Sequence, residues 1–327
     1  MSRRGERANL RDIAEAAGVS MQTASRVVRG VDVVAEATRA RVLAAIEELN
    51  YQPNMAARSL SARRTGSIHI IDAVPLLHGH ATTYVVICQQ LAALGLHIST
   101  SVVRSELGGL ALRELVPVGA DGVVILGGRY EPGEWVNTVA TRLPTVYVGQ
   151  VKELPPLAVG VAVDHRAGAL MAVEHLVGRG ATRIAHVEGP TEWIDARLRH
   201  EGYLAGCAAA ALEPLVLQAG SWDAAAASPL MTGLDRRVDG IFAANDHLAL
   251  GSMTALQLAG RRVPGEVRVV GFDDALGSES FLPPLTTVRQ DFRAVGEAAV
   301  AALSLLLNGD EAHSTIITPT LVVRSST

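Results

Sequence analysis

The feature that most constrains the fold is a regular alternation of short apolar runs with longer helical stretches, which begins near residue 66. The apolar runs lie at 68–74, 96–103, 122–126, 145–148, 159–163, 184–188, 215–218, 240–243 and 267–271. Strands that alternate with helices predict parallel sheets covered by helices on both faces. A set of about ten strands exceeds the usual size of one sheet, so we expect two lobes.

The first 64 residues have the opposite charge to the remainder. They contain 11 Arg against 7 acidic residues, whereas the rest of the chain has 18 Lys or Arg against 26 acidic residues. A basic segment on an acidic body is expected when only that segment meets nucleic-acid phosphates. The charge distribution therefore predicts a small nucleic-acid-binding head.

Two short amphipathic helices are predicted inside this head. The first runs from Leu10 to Ala17 and the second from Met21 to Arg29, with Gly18 breaking the chain between them and Ser20 capping the second helix. This arrangement is a helix-turn-helix, whose second helix enters the major groove. A third helix over 36–50, which buries Val42, Ile46 and Leu49, is expected to close the head.

The second helix carries side chains that suit base edges and phosphates. Gln22 can bond adenine, Arg26 can bond guanine, and Met21 can contact a thymine methyl group. The hydroxyls of Ser20, Thr23 and Ser25 suit phosphates. The predicted partner of the head is therefore double-stranded DNA.

The motif L-x-D-I-A-x-x-A-G-V-S-x-x-T-x-S-R-V, followed by T-R-x-R-V and Y-x-P-N-x-x-A-R-S-L, resembles the LacI/GalR family of transcriptional repressors. The resemblance implies a hinge helix after Pro53 that folds on operator DNA, with Leu60 wedged into the minor groove. Two positions depart from the family pattern: Ala35 replaces a capping Ser, and Arg29 replaces an Asn. The DNA-contacting set that follows is Leu10, Ser20, Met21, Gln22, Thr23, Ser25, Arg26, Arg29, Thr38, Tyr51, Asn54, Ala57 and Leu60.

For the whole chain, the resemblance implies a small all-α head on an α/β body of the periplasmic-binding-protein type, with two Rossmann-like lobes. The expected domains are a helix-turn-helix domain at 1–52, a hinge helix and linker at 53–66, and a ligand-binding and dimerisation domain at 67–327. Within the last, one lobe is expected at about 67–161 and 291–318, and the other at about 162–290 and 319–327.

Polar side chains follow several of the predicted strands, where open α/β sheets bind ligands. Arg199, Asn245 and Asp273 offer the paired polar groups that bind vicinal sugar hydroxyls, and Trp222 offers a flat surface for a sugar ring. Gln290 and Phe292 lie at a predicted crossing between the lobes. Further candidates, carried over from the family, are Arg197, Asp195, Phe292 and Arg104. Two alternatives stay open here: Trp222 as an aromatic of the lobe core, and Arg197 as a surface ion-pair partner.

These observations predict a homodimeric repressor that a sugar, glycoside- or galactoside-like, releases from a palindromic operator. A corepressor-dependent regulator is one alternative, and a solute-binding protein or sugar enzyme on the same fold is another. No catalytic, nucleotide-binding or metal-binding motif is present, and the two cysteines, Cys88 and Cys207, are far apart in sequence. We therefore expect no enzyme activity and no cofactor. No signal peptide or membrane-spanning run is found, so the expected location is the cytoplasm.

Overall fold

A computed structural model describes residues 8–28, 34–51, 64–74, 77–103, 112–131, 133–151, 154–155 and 157–327. The chain forms two compact units, residues 1–66 and 67–327, which we call the head and the body. Arg29, Asn54, Ala57, Leu60 and Arg104, all predicted as site residues, lie outside the described residues, as does most of the predicted hinge.

The head contains helices α1 (Leu10–Ala17), α2 (Met21–Val28) and α3 (Glu36–Glu48). Helix α1 begins at Asn9, whose side chain accepts hydrogen bonds from the backbone amides of Arg11 and Asp12, while the Asp12 carboxylate accepts one from the Asn9 amide. This reciprocal arrangement satisfies donors that a helix N-terminus otherwise leaves without partners.

The turn between α1 and α2 depends on Gly18, whose φ of +63° lies in the left-handed region. Ser20 follows, and its hydroxyl accepts a hydrogen bond of 3.1 Å from the amide of Thr23. Two features predicted from the sequence, a left-handed turn residue and a serine cap, therefore set the angle between the two helices.

The three helices enclose a small core of Ile13, Ala14, Ala17, Ala24, Val27, Val42 and Ala45. The prediction for α3 was wrong in detail. The helix ends at Glu48 rather than Asn50, and Leu49 is its C-cap and 37% exposed. On α3, Ala45 is buried beside Val42, and Ile46 is half-buried against the core.

The first lobe of the body is a six-stranded parallel sheet in the order β11-β5-β4-β3-β1-β2. Its strands are β1 (Ser67–Asp72), β2 (His97–Val102), β3 (Gly122–Leu126), β4 (Thr145–Val148), β5 (Ala158–Val163) and β11 (Thr315–Ile317). Its helices are α4 (His78–Ala93), α5 (Leu112–Leu115), α6 (Glu134–Ala140) and α11 (Phe292–Asn308). Every residue of β3 is buried, because clusters of apolar side chains cover both faces of the sheet.

The second lobe is a six-stranded sheet in the order β12-β10-β9-β8-β6-β7, in which only β12 runs antiparallel to its neighbour. Its strands are β6 (Ile184–Glu188), β7 (Leu215–Gln218), β8 (Gly240–Ala243), β9 (Arg268–Asp273), β10 (Thr286–Arg289) and β12 (Thr320–Val322). Its helices are α7 (His165–Gly178), α8 (Ile194–Ala209), α9 (Ala224–Met231) and α10 (Asp246–Leu258), with a 3₁₀ turn at Ser278–Ser280.

The chain passes between the lobes three times, between β5 and α7, between β10 and α11, and between β11 and β12. The predicted fold class, a helical head on a two-sheet α/β body, is confirmed. Three short strands, β10, β11 and β12, were not predicted. In the part of the chain that the structure describes, no helix is long and apolar enough to cross a membrane.

Helix α3 has a cap that can be improved. Its N-cap residue, Ala35, has the extended backbone of a cap but makes no side-chain hydrogen bond to the helix. We expect Ala35→Ser to stabilise α3 by about 1 kcal/mol, because the hydroxyl can accept from a free amide of the first turn. Hydrogen exchange of the α3 amides measures the effect. Ala35→Val, which adds volume without an acceptor, is the control, and equal protection in both variants would contradict the prediction.

Candidate functional site

A cavity of about 160 Å³ lies in the body between the carboxyl ends of the two sheets. The first lobe gives it a largely apolar wall, formed by Leu77, Gly79, Gly127, Val148, Gly149, Val161, Ala162, Val163, Phe292 and Val295, with His78, His80 and Thr83 beside it. The second lobe gives it a polar wall, formed by His165, Asp195, Arg199, Asp223, Asn245, His247, Asp273 and Gln290, with Trp193 and Trp222.

Most of the ligand-binding residues predicted from the sequence meet at this cavity. Those that line it are Arg199, Asn245, Asp273, Trp222, Asp195, Gln290 and Phe292. Arg197 does not line it: its side chain points to the surface, donates to the carbonyl of Thr191 at 2.6 Å and lies over the ring of Tyr130. The placement of Arg197 supports neither a ligand contact nor the alternative of an ion pair.

Arg199 is the centre of the polar wall. Its guanidinium is buried, donates to the carbonyl of Ala244 and lies 3.5 Å from the Asp273 carboxylate. One face of the guanidinium lies 3.9 Å from the centre of the Phe272 ring. A planar cation held on its edges and on one face has few conformations left to lose, so its remaining donors are preorganised toward the cavity.

Asp273 is the last residue of β9 and has a φ of +114°, an unusual backbone for a residue other than glycine. Its carboxylate accepts a hydrogen bond of 2.6 Å from the Gln290 amide, which lies at a crossing between the lobes. Burial raises the pKa of Asp273, and the nearby Arg199 charge opposes this rise. The next residue, Asp274, instead holds its turn by pairing with Arg289 and Arg324, each at 2.7 Å.

His165 connects Arg199 to Asp195 and was not among the predicted ligand residues. The guanidinium of Arg199 donates to His165 Nδ1 at 3.3–3.4 Å, so the ring proton lies on Nε2, which faces Asp195 at 3.1 Å. Burial lowers the pKa of His165, which agrees with a neutral ring. The preceding residue, Asp164, caps α7 by accepting from the Ala167 amide at 2.8 Å.

The amide of Asn245 is fixed at both ends. Its oxygen caps α10 by accepting from the Leu248 amide at 2.8 Å, and its nitrogen donates to the Trp222 carbonyl at 3.1 Å. An amide group has two donors and two acceptor sites, so one of each remains for a ligand. The ring of Trp222 packs closely on Gly189, where a Cβ would lie 2.4 Å from a ring carbon. Trp222 therefore belongs both to the lobe core and to the cavity wall.

Behind the cavity wall lies Asp246, which does not line the cavity. Its carboxylate accepts from the Ala275 amide and from the hydroxyls of Ser278 and Thr287. Burial, assisted by the neighbouring Asp273, raises the pKa of Asp246 to about 7. The carboxylate thus connects three segments that surround Asp273.

The cavity is also lined by residues that no short sequence pattern singles out. They are His78, His80, His247 and Trp193, which follow no metal-ligand spacing. Among the described residues, no three His, Cys, Asp or Glu side chains are grouped as a metal site. A position just after a strand end is the one signal they share with the predicted residues, and Trp193 has it because it follows β6.

In the head, α2 presents an exposed face. Met21 is 55% exposed, and Gln22 and Arg26 are also exposed, whereas Thr23 and Ser25 are half-buried. The remaining predicted DNA-contacting residues of the described head, Leu10, Ser20, Thr38 and Tyr51, lie elsewhere than on α2, and Leu10 and Tyr51 pack against the head core. Polar side chains on one uncovered helix face are what reading a groove requires.

Comparison with known proteins gives consistent matches. Residues 9–54 match the family of bacterial regulatory proteins called the lacI family, and residues 173–327 match a periplasmic binding protein-like domain. The lactose operon repressor of Escherichia coli (strain K12) is 32% identical over 334 residues, covering 97% of this chain and 90% of the repressor.

Two solved structures are similar along nearly the whole chain. A crystal structure of the lac repressor dimer bound to operator and the anti-inducer ONPF has a TM-score of 0.87 and 31% identity, covering 98% of this chain and 99% of that one. A complex of the transcriptional regulator CelR with cellobiose has a TM-score of 0.71 and 31% identity, covering 98% and 100%.

The raised pKa of Asp246 gives a pH-dependent stability. Because its folded pKa of about 7 lies above its unfolded value, the folded state binds the extra proton, and the free energy of unfolding falls as the pH rises toward and through 7. We expect Asp246→Asn, which resembles the protonated acid, to flatten this dependence. Urea unfolding at pH 5, 6, 7 and 8 measures it, with the exposed Asp310→Asn as control. The same slope in Asp246→Asn and the natural chain would exclude this assignment.

Proposed function

Because the chain belongs to the lacI family of bacterial regulatory proteins and is a transcriptional repressor of that type, we propose that a small sugar in the body cleft releases it from a palindromic operator. The proposal has three parts: α2 reads the operator, two chains bind together as a homodimer, and a glycoside- or galactoside-like sugar is the effector.

The observation that carries the sugar assignment is the convergence of Arg199, Asn245, Asp273 and Gln290 beside the Trp222 ring. A sugar offers hydroxyls that both donate and accept, together with an apolar face of C–H groups. Donors and acceptors held in fixed positions bind the hydroxyls, and an indole ring packs on the apolar face. The cellobiose complex of CelR supports a sugar as ligand for this type of cleft.

The operator assignment rests on the exposed face of α2. Gln22 and Met21 lie in its first turn, where a recognition helix contacts base edges, and Arg26 lies one turn further on. A single small head makes too few contacts for useful specificity, so two heads on a palindromic site are expected. The hinge residues Asn54, Ala57 and Leu60 belong to this proposal as minor-groove contacts.

The effector and the operator must affect each other reciprocally. If the sugar weakens operator binding, the operator weakens sugar binding by the same factor. The same physics permits the opposite sign, in which the ligand is a corepressor. Fluorescence anisotropy with DNA from upstream of the regulated genes, with and without a panel of mono- and disaccharides, measures the sign directly. No change in affinity with any sugar would refute the effector part.

Substitution of Asp273 should affect ligand binding but not DNA binding. We expect Asp273→Asn to weaken effector binding about tenfold or more, because charged hydrogen bonds to sugar hydroxyls are lost. Operator affinity without sugar should stay within about twofold. Calorimetry measures the first quantity and anisotropy the second. The exposed Asp310→Asn is the control, and unchanged sugar affinity in Asp273→Asn would contradict the placement of the sugar.

Gln22 tests the reading of bases by α2. We expect Gln22→Ala to cost about 1–3 kcal/mol on the cognate operator and to relax selectivity at one base pair, because a bidentate contact to adenine is removed. Binding to a set of operators with single base changes measures this effect. Glu48→Gln, on the exposed end of α3, is the control. A uniform loss over all operators would mean that Gln22 contacts the backbone instead.

A further inference from the structure

The two lobes of the body make a direct backbone contact away from the three crossings. The amide of Tyr130, in the loop after β3, donates to the Glu192 carbonyl at 2.8 Å. The amide of Ile194 donates back to the Gly128 carbonyl at 2.9 Å. Residues 128–130 of the first lobe and 192–194 of the second therefore form one antiparallel bridge. We call these two segments the clasp.

The position of the clasp follows from the order of the strands. Its first-lobe segment follows β3, which lies two strands from the crossing strand β5. Its second-lobe segment follows β6, which lies three strands from the crossing strand β10. Rotation about the crossings separates points far from them more than points near them. The clasp hydrogen bonds can therefore form only when the lobes are closed.

Trp193 gives the clasp a hydrophobic component. It belongs to the second lobe, but its side chain is only 4% exposed and forms a buried cluster with Val74 of the first lobe. Its ring also packs on Gly128, where a Cβ would lie 3.2 Å from two ring carbons, and meets the His80 ring edge-on at 5.8 Å. Opening the lobes would expose this indole to water.

Arg197 and Tyr130 add a cation–π pair at the outer side of the clasp. The guanidinium carbon of Arg197 lies 3.7 Å from the centre of the Tyr130 ring. Its Nε donates to the Thr191 carbonyl, which holds the guanidinium in place over the ring. Neither Arg197 nor Tyr130 lines the cavity. The pair therefore joins the lobes at a point outside the cavity, where it does not contact a bound ligand.

We propose that Arg197 and Tyr130 are positioning residues that set the balance between open and closed lobes, and through it the sensitivity to effector. The inference rests on the proposed function only in taking the cleft as the effector site. For a ligand that binds only the closed state, the apparent association constant is the intrinsic constant multiplied by the fraction of molecules that are closed. The clasp raises the closed fraction before ligand arrives, so its loss weakens effector binding at a distance.

The experiment uses the full chain and two measurements. Spin labels at Asn137→Cys and Gln257→Cys, exposed positions on opposite lobes, report the distance between lobes when Cys88 and Cys207 are replaced by Ala. Calorimetry on the chain with its natural cysteines reports effector affinity. We expect Tyr130→Ala and Arg197→Gln each to shift the label distances toward longer values and to weaken effector binding about two- to fivefold. The double variant should be no weaker than the stronger single variant.

Two controls match these variants. Tyr130→Phe keeps the ring and should retain the distances of the natural chain, and Arg262→Gln removes an exposed arginine elsewhere on the second lobe. Unchanged distances in Tyr130→Ala and Arg197→Gln would overturn the proposal, even with an altered effector affinity. If no sugar binds any variant, the proposed effector is refuted, while the label distances still decide whether the clasp holds the lobes together.

Discussion

The site depends on one buried cation, the guanidinium of Arg199. A charge in this position is tolerated because the Ala244 carbonyl, the His165 ring nitrogen, the Asp273 carboxylate and the face of the Phe272 ring surround it. Apart from His165, these partners come from the ends of β8 and β9, so the same contacts that satisfy the cation also hold two strand ends beside α8. Removing one partner would leave part of this buried charge uncompensated, so the partners stabilise the polar wall together.

The two lobes contribute different chemistry to one cavity. The first lobe offers mainly apolar side chains and bare backbone, and the second offers fixed donors and acceptors. A ligand bound only to the second lobe would satisfy its polar groups but leave its apolar side in water. Contact with the first lobe removes that surface from water, so ligand binding and lobe closure are favoured together.

Much of the fold was predictable, because its determinants are local. The capping of α1, the Gly18 turn and the buried strands β3, β6 and β8 follow from patterns that short windows reveal. Strands β10, β11 and β12 were missed because each is three or four residues long and threonine-rich, and their pairing is set by distant segments. Likewise, Arg199 and Asp273 were found because each offers paired polar groups after a predicted strand, whereas His80, in the first turn of α4 after β1, offers no such pair on one edge. Arg197, two residues from Arg199, points to a different partner because a helix turns about 200° over that interval.

The interlaced path of the chain determines the order in which the body can be completed during synthesis. The first lobe begins at β1 but lacks α11 and its edge strand β11 until residue 317 has been made. Until then the core between α4 and the sheet is uncovered, since α11 supplies Val295, Ala299 and Leu303 to it. The second lobe has nearly all its strands by residue 289. The lobe translated first is therefore finished late, and its exposed apolar face is the part of the nascent chain most in need of protection from aggregation.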